Sequence, residues 1–188
     1  MLRIWLLAVV GIIMAYEAVR YLVPLIWHRR YRLPMIALVA ASIYPHYYGW
    51  WNFFNYLNEE FYIQWYHQLF FSVTELLSTA VCLHLSNSEN NLKPWKLLII
   101  LGINTMHIIV GSLDQFVTNV LHHQGQQFEA ARDIGLMVPD ILHVLVAYFE
   151  MRLLADKQST SIISLFYREE ILLCVLIVTL FSILGKVL

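Results

Sequence analysis

The sequence predicts an all-α membrane protein, a polytopic bundle of about six transmembrane helices in a single domain over residues 1–188. Hydrophobic residues make up 60% of the chain and charged residues only 13%, whereas roughly a quarter of the residues of a soluble domain are charged. The apolar residues gather in six segments, each with the ~20 residues that a helix needs to cross ~30 Å of hydrocarbon. The polar links between them are too short for a soluble domain.

The predicted helices follow these apolar segments in chain order. They lie near residues 4–27, 34–57, 61–85, 95–121, 133–154 and 162–186. The links are "HRRYR", "NEE", "SNSENNLKP", "HHQGQQFEAAR" and "ADKQSTS", and Pro94 and Ser159 are typical of helix starts. We expect the first segment to be a retained helix rather than a cleaved signal peptide, because no small-x-small cleavage site follows it.

The second and third helices meet in an aromatic stretch, "YPHYYGWWNFFNYLNEEFYIQWYHQ", at residues 44–68. Tyrosine and tryptophan gather where a membrane meets water, because their rings are apolar and their O–H or N–H groups need polar partners. The stretch therefore predicts an aromatic belt at one interface. An aromatic wall around a lipid or sterol is the alternative interpretation.

Basic residues in the short links predict the orientation, because lysine and arginine are enriched on the cytoplasmic side. One side of the bundle carries Arg29, Arg30, Arg32, Lys93, Lys96, Arg152 and Lys157, and the other carries Arg3, Arg132 and Lys186. The first side is predicted to be cytoplasmic. Six helices then place both termini on the opposite side, in a multi-pass protein whose particular membrane the sequence does not specify.

Polar residues form a narrow stripe on each of the four central helices. The stripes comprise Ser42, His46 and Gly49; Gln64, His67, Thr74, Glu75, Ser78 and Cys82; Asn104, His107, Gly111, Asp114 and Thr118; and Asp133, Asp140, His143 and Glu150. A charged side chain at the centre of a membrane helix costs roughly 2.5–3.5 kcal/mol on insertion scales. We therefore expect the stripes to face one another inside the bundle, with a histidine or glutamate of each helix at a similar depth.

The main functional hypothesis is a site that handles protons or cations, as in a transporter or a channel. Its predicted residues are Glu75, His107, Asp114, Asp140 and His143. Histidine titrates near neutral pH, and stacked carboxylates beside it are what a proton relay or an ion site requires.

The second hypothesis is a membrane-embedded, metal-dependent enzyme that acts on a lipid. Its predicted ligands are His46, Glu75, His107, Asp140 and His143. Zinc and iron both accept imidazole nitrogen and carboxylate oxygen, although the chain has no HExxH motif or repeated histidine box. Whether the protein is an enzyme stays open.

Three further interpretations remain. The polar stripes can form a purely structural network between helices, the pocket can bind a lipid or sterol, or His107 and His143 can hold a b-type haem. The bilayer is the expected partner. A net charge of −1 without a basic block argues against nucleic acid, and the two cysteines lie in apolar segments, which argues against a disulfide framework. The sequence gives no indication of the oligomeric state.

Overall fold

The computed structural model describes residues 2–59 and 62–187, without the side chains of residues 2–4, 62, 63, 112 and 114. Over these residues the chain is all-α and has no strand, which confirms the all-α part of the prediction. The helices are α1 (Leu2–Trp27), α2 (Leu33–Ala41), α3 (Ile43–Asn58), α4 (Tyr62–Ser86), α5 (Pro94–His107), α6 (Leu113–Phe116), α7 (Gln127–Lys157) and α8 (Arg168–Val187).

Five helical stretches among these residues are long and apolar enough to cross a membrane. They are Trp5–Trp27, Gln64–Ser86, Pro94–Gly111, Gln127–Lys157 and Arg168–Val187. The prediction of a single long helix over 34–57 is wrong, because the chain divides there into α2 and α3 at Ser42. Pro45, in the first turn of α3, has no N–H to continue the hydrogen-bond ladder of α2.

Two other predicted boundaries differ from the structure. Helix α7 begins at Gln127 rather than near 133, because Gln126 and Glu129 form a capping box that satisfies the first N–H groups. Helix α8 begins at Arg168 rather than near 162, after a short 3₁₀ turn at Ile163–Leu165 and an extended Phe166.

The predicted helix over 95–121 is continuous but not uniformly α-helical. Helix α5 passes into a π-helical segment at Ile108–Ser112, then α6, then a second π-helical segment at Val117–Leu121. Such π segments are rare and occur frequently at functional sites. The first begins directly after His107, so the helix becomes wider from Ile108 onward.

The apolar core lies between α2, α4, α5 and α7. It consists of Met35, Leu38, Cys82, Leu85, Leu97, Ile100, Ala147 and Met151, all almost fully buried. Helix α1 contributes little to the packing, since the side chains of its apolar stretch are largely exposed. It approaches the bundle where the ring of Trp50 lies against Gly11, at a position that a β-carbon would overlap.

Arg32 joins the loop before α2 to the loop after α4. Its guanidinium donates to the backbone carbonyls of Leu85, Asn87, Ser88 and Asn90 at 2.5–3.0 Å. These carbonyls lie at or beyond the end of α4, where the helix itself offers no N–H partner. The planar fork of arginine reaches several carbonyls at once, which the point charge of lysine does not.

We predict that Arg32→Gln lowers the free energy of unfolding by at least roughly 2–3 kcal/mol, because a single hydrogen bond to a charged group contributes about 1.5–3 kcal/mol and more than one is lost. Arg32→Lys should recover less than half of that loss. The thermal midpoint of the purified protein in detergent measures both effects.

Arg30→Gln is the matched control. Arg30 forms an ion pair with Glu89 at 3.0 Å in which both side chains are about 60% exposed, and such surface pairs contribute little. Equal losses in the Arg30 and Arg32 variants would show that the Arg32 guanidinium does not hold the two loops together.

Candidate functional site

A cavity of about 220 Å³ lies between α3, α4, the α5–α6 region and α7. Its deep end is formed by three buried side chains, Glu75, His107 and Asp140. Aromatic residues of α3 and α4 form much of the wall, and polar residues that are less buried lie toward its mouth. The lining includes Tyr48, Trp50, Tyr56 and Phe71 in the wall and Asn52, His67, Gln68, Gln115 and Arg132 nearer the mouth.

The order of residues along each helix indicates that the cavity is closed at the end formed by Glu75, His107 and Asp140. On α7 they run from Arg132 at the mouth through Asp140 to the buried Ala147 and Met151. On α4 the chain passes from the cavity through Glu75 to the apolar core, and on α5 it runs the other way, from the core to His107. The cavity is therefore a pocket that ends at that core.

His107 lies between the two carboxylates. Its Nδ1 is 3.4 Å from Glu75 Oε2 and 3.6 Å from Asp140 Oδ1. One ligand atom from each of the three residues falls within 4.8 Å of the other two. The residues come from α4, α5 and α7, so the centre forms only when these helices pack together.

Thr74 holds the ring of His107 in its orientation. The threonine hydroxyl is 2.9 Å from the carbonyl oxygen of Phe70, 3.0 Å from that of Phe71 and 2.7 Å from His107 Nε2. The hydroxyl has one hydrogen and two possible arrangements. If it donates to a carbonyl, Nε2–H donates to Thr74 and Nδ1 of the neutral ring is a lone pair that faces two carboxylates; if it donates to Nε2, Nδ1–H faces them instead.

In the first of these arrangements, the Nδ1 lone pair and the two carboxylates repel one another unless a proton or a metal cation lies between them. Two ligands bound at 2.0–2.2 Å to a tetrahedral zinc ion are about 3.3–3.6 Å apart, which agrees with the two distances from His107. Three protein ligands leave a fourth position for water or substrate, as in catalytic zinc sites. A hydrogen bond on the other ring nitrogen is typical of histidines that bind metals.

His143 and His46, both predicted as ligands, make other contacts. His143 Nδ1 is 2.8 Å from the carbonyl oxygen of Pro139, to which it donates, so Nε2 accepts from the Ser42 hydroxyl at 3.2 Å. His46 Nε2 pairs with the Thr79 hydroxyl at 2.8 Å, and its ring lines the pocket. Among the described side chains, only Glu75, His107 and Asp140 of the five predicted metal ligands therefore converge.

Asp114, also predicted for the site, has a side chain that lies outside the described part of the chain. Its backbone belongs to α6, between the two π-helical segments. The predicted stripe residue Asp133 is buried, but it forms an ion pair with Arg132 at 2.6 Å and accepts from Asn119 at 2.7 Å.

The sequence does not predict a role in the site for Thr74 or for Arg132. From the sequence, Thr74 is only a polar member of a stripe and Arg132 only a charge in a link. A signal for Arg132 is present in the spacing, because eight residues of helix, about 12 Å, separate it from Asp140. That distance is two turns, so both residues can line one pocket.

No curated protein and no solved structure matches this chain. One family model does, and its match extends over residues 1–188, the whole of the sequence. The helices, the pocket and the buried centre described above all lie within the matched region. The chain therefore belongs to that family, which is described as a family of unknown function, DUF8801.

Proposed function

We propose that the protein is a multi-pass integral membrane protein that binds a divalent metal ion at Glu75, His107 and Asp140. We further propose that it uses the ion on a molecule that enters the pocket. The convergence of three buried ligand atoms at the closed end of a pocket carries this proposal. Such an ion can polarise an oxygen of a bound molecule or activate a bound water.

The proposal of a membrane location is supported by the outer surface. Large apolar side chains such as Ile12, Val19, Leu172 and Val175 are more than half exposed, and extensive apolar surface of this kind is unfavourable in water. We propose that α2 and α3 together make a sixth crossing, broken at Ser42, in addition to the five long stretches. The lipid bilayer is then the partner of this surface.

The closed end of the pocket favours chemistry inside the pocket over movement through the protein. A pathway across the bundle would require polar groups or water on both sides of the centre. Below Glu75 the buried Asn104 and Ser78 hydrogen-bond to each other at 2.9 Å, and the apolar core lies beyond them. This arrangement supports a metal-dependent enzyme rather than a transporter or channel.

Proton handling is the second candidate function, and one observation favours it. The imidazole nitrogen that faces Glu75 and Asp140 at 3.4 and 3.6 Å is also placed to share a proton with either carboxylate. The two candidates differ in what occupies the space between the three groups. A metal-free protein that shows His107-dependent proton flux in liposomes would establish the second candidate.

The first prediction from this proposal is that the detergent-purified protein contains about one zinc or iron ion per chain. His107→Gln and Asp140→Asn should each lose the metal, because two ligands are too few for tight binding. Elemental analysis measures the metal content, and gel filtration establishes that each variant is folded.

His143→Asn is the matched control for these variants. It replaces a buried histidine on the same helix as Asp140, but both ring nitrogens of His143 already have other partners. The control should therefore retain the metal. Wild-type protein without metal, after purification and after reconstitution with Zn²⁺, would contradict the proposal.

A further prediction concerns Thr74, which positions His107. Thr74→Val preserves the shape of the side chain but removes the hydroxyl, and we expect metal affinity to fall roughly 10- to 100-fold, as is typical for the partners of ligand histidines. Thr74→Ser should retain the affinity. Competition with a chromogenic chelator measures the affinity of each variant.

Thr79→Val serves as the control because its hydroxyl contacts His46 rather than the centre. An equal loss of affinity in the Thr74→Val and Thr79→Val variants would mean that packing of α4, rather than the orientation of His107, controls metal binding.

A further inference from the structure

We propose that Arg132 forms an anion-binding subsite at the mouth of the pocket, and that the molecule acted on is a small anionic amphiphile. Its carboxylate or phosphate would bind Arg132, and its apolar body would lie against the aromatic wall. This inference rests on the proposed function, because it names the class of substrate for the same pocket.

Arg132 is held in place by contacts that leave donors for a ligand. Its Nε donates to Asp133 Oδ1 at 2.6 Å, and its Nη2 donates to Gln115 Oε1 at 3.0 Å. Asp133 in turn accepts from Asn119 at 2.7 Å. Tyr48, which also lines the pocket, is a further hydrogen-bond partner of Arg132. A guanidinium has five N–H groups in a fixed plane, and these three contacts do not use all of them.

The ion pair presents its positive member to the pocket. The Arg132 side chain is 24% exposed and lines the cavity, whereas the Asp133 side chain is 2% exposed and lies outside the cavity lining. A molecule in the pocket would thus meet the guanidinium and not the carboxylate. Arginine held in this manner suits carboxylate and phosphate groups, which it can bind through two parallel hydrogen bonds.

The charges at the deep end of the pocket also favour an anionic ligand. A divalent ion would neutralise the two carboxylates of Glu75 and Asp140, which leaves the Arg132 guanidinium, whose partner Asp133 lies outside the lining, as the charge that faces the pocket at its mouth. A cationic amphiphile would then have no partner at the mouth. An anionic one would satisfy Arg132 and could still place a polar group near the ion.

The shape of the pocket favours a short amphiphile or one end of a longer one. Arg132 and Asp140 are separated by about 12 Å along α7, and the wall between the two levels includes Trp50, Phe71 and Leu136. The volume of about 220 Å³ is below the roughly 300–1,000 Å³ of pockets that hold drug-sized ligands. A complete two-chain lipid would exceed it.

The test uses the full-length protein in detergent, loaded with Zn²⁺, and four probes that share one chain length. They are octyl phosphate, octanoate, octylamine and octanol, titrated by isothermal titration calorimetry. We expect octyl phosphate or octanoate to bind at least tenfold more tightly than octylamine and octanol. The comparison of phosphate with carboxylate identifies the preferred head group.

The variant Arg132→Gln/Asp133→Asn removes the guanidinium without leaving a buried unpaired carboxylate, and should weaken binding of the anionic probe at least tenfold. Arg132→Lys keeps the charge and the ion pair but not the planar fork. It should give a smaller loss, and it provides the test if the double variant does not fold. Arg20→Gln, in an exposed pair on α1, should leave binding unchanged.

The inference would be overturned if octanol or octylamine bound as tightly as the anions, or if neither Arg132 variant weakened anion binding. Metal content, measured on the same preparations, separates the two proposals. Bound metal without an anion preference overturns the subsite alone. An Arg132-dependent anion preference in a protein that takes up no metal supports the subsite and overturns the metal centre.

Discussion

Two buried carboxylates share a single imidazole at the centre of this protein, and the pocket depends on how their charge is compensated. Glu75 and Asp140 are each less than a tenth exposed and face the same nitrogen of His107. Their uncompensated burial would cost several kcal/mol per charge. Nδ1 of His107 faces both carboxylates, so a cation or a proton in the space between the three side chains would compensate their charge.

The helices that provide these groups deviate from regular structure close to the pocket. Helix α5 changes to π-helical geometry directly after His107, and α7 contains Pro139 next to Asp140. A proline inside a helix removes one backbone hydrogen bond, and the carbonyl of Pro139 also accepts from His143. These irregularities accompany the site, whereas the apolar half of the bundle is built from regular helix.

The sequence predicts the fold class and the facing of the polar stripes because both follow from helical periodicity and the cost of exposing charge to lipid. Glu75, His107 and Asp140 belong to the predicted set for this reason. Periodicity does not determine which stripe members meet, since this depends on helix rotation and on partners chosen within each helix. His143 turns to Ser42 and to a carbonyl of its own helix, and no spacing rule distinguishes it from Asp140.

Local hydrogen bonding explains the boundaries that were predicted wrongly. The break at Ser42 falls within a continuous apolar run, so hydropathy does not reveal it, and only Pro45 gives a local signal. The early start of α7 depends on a pair of side chains, Gln126 and Glu129, that lie in a polar link. A search for apolar segments excludes such a link from the helix, although its capping chemistry is that of a helix start.

The apolar core beyond the three buried groups limits how molecules can enter and leave the pocket. Because the apolar core of Met35, Leu38, Ala147 and their neighbours lies beyond the centre, we infer that a molecule that reaches Asp140 leaves along the path by which it arrived. Arrival and departure therefore compete for one opening, and only one molecule at a time can occupy the route. In the proposed enzyme, a product that resembles its precursor would delay the next turnover by remaining in place, so residence time in the pocket would limit its rate.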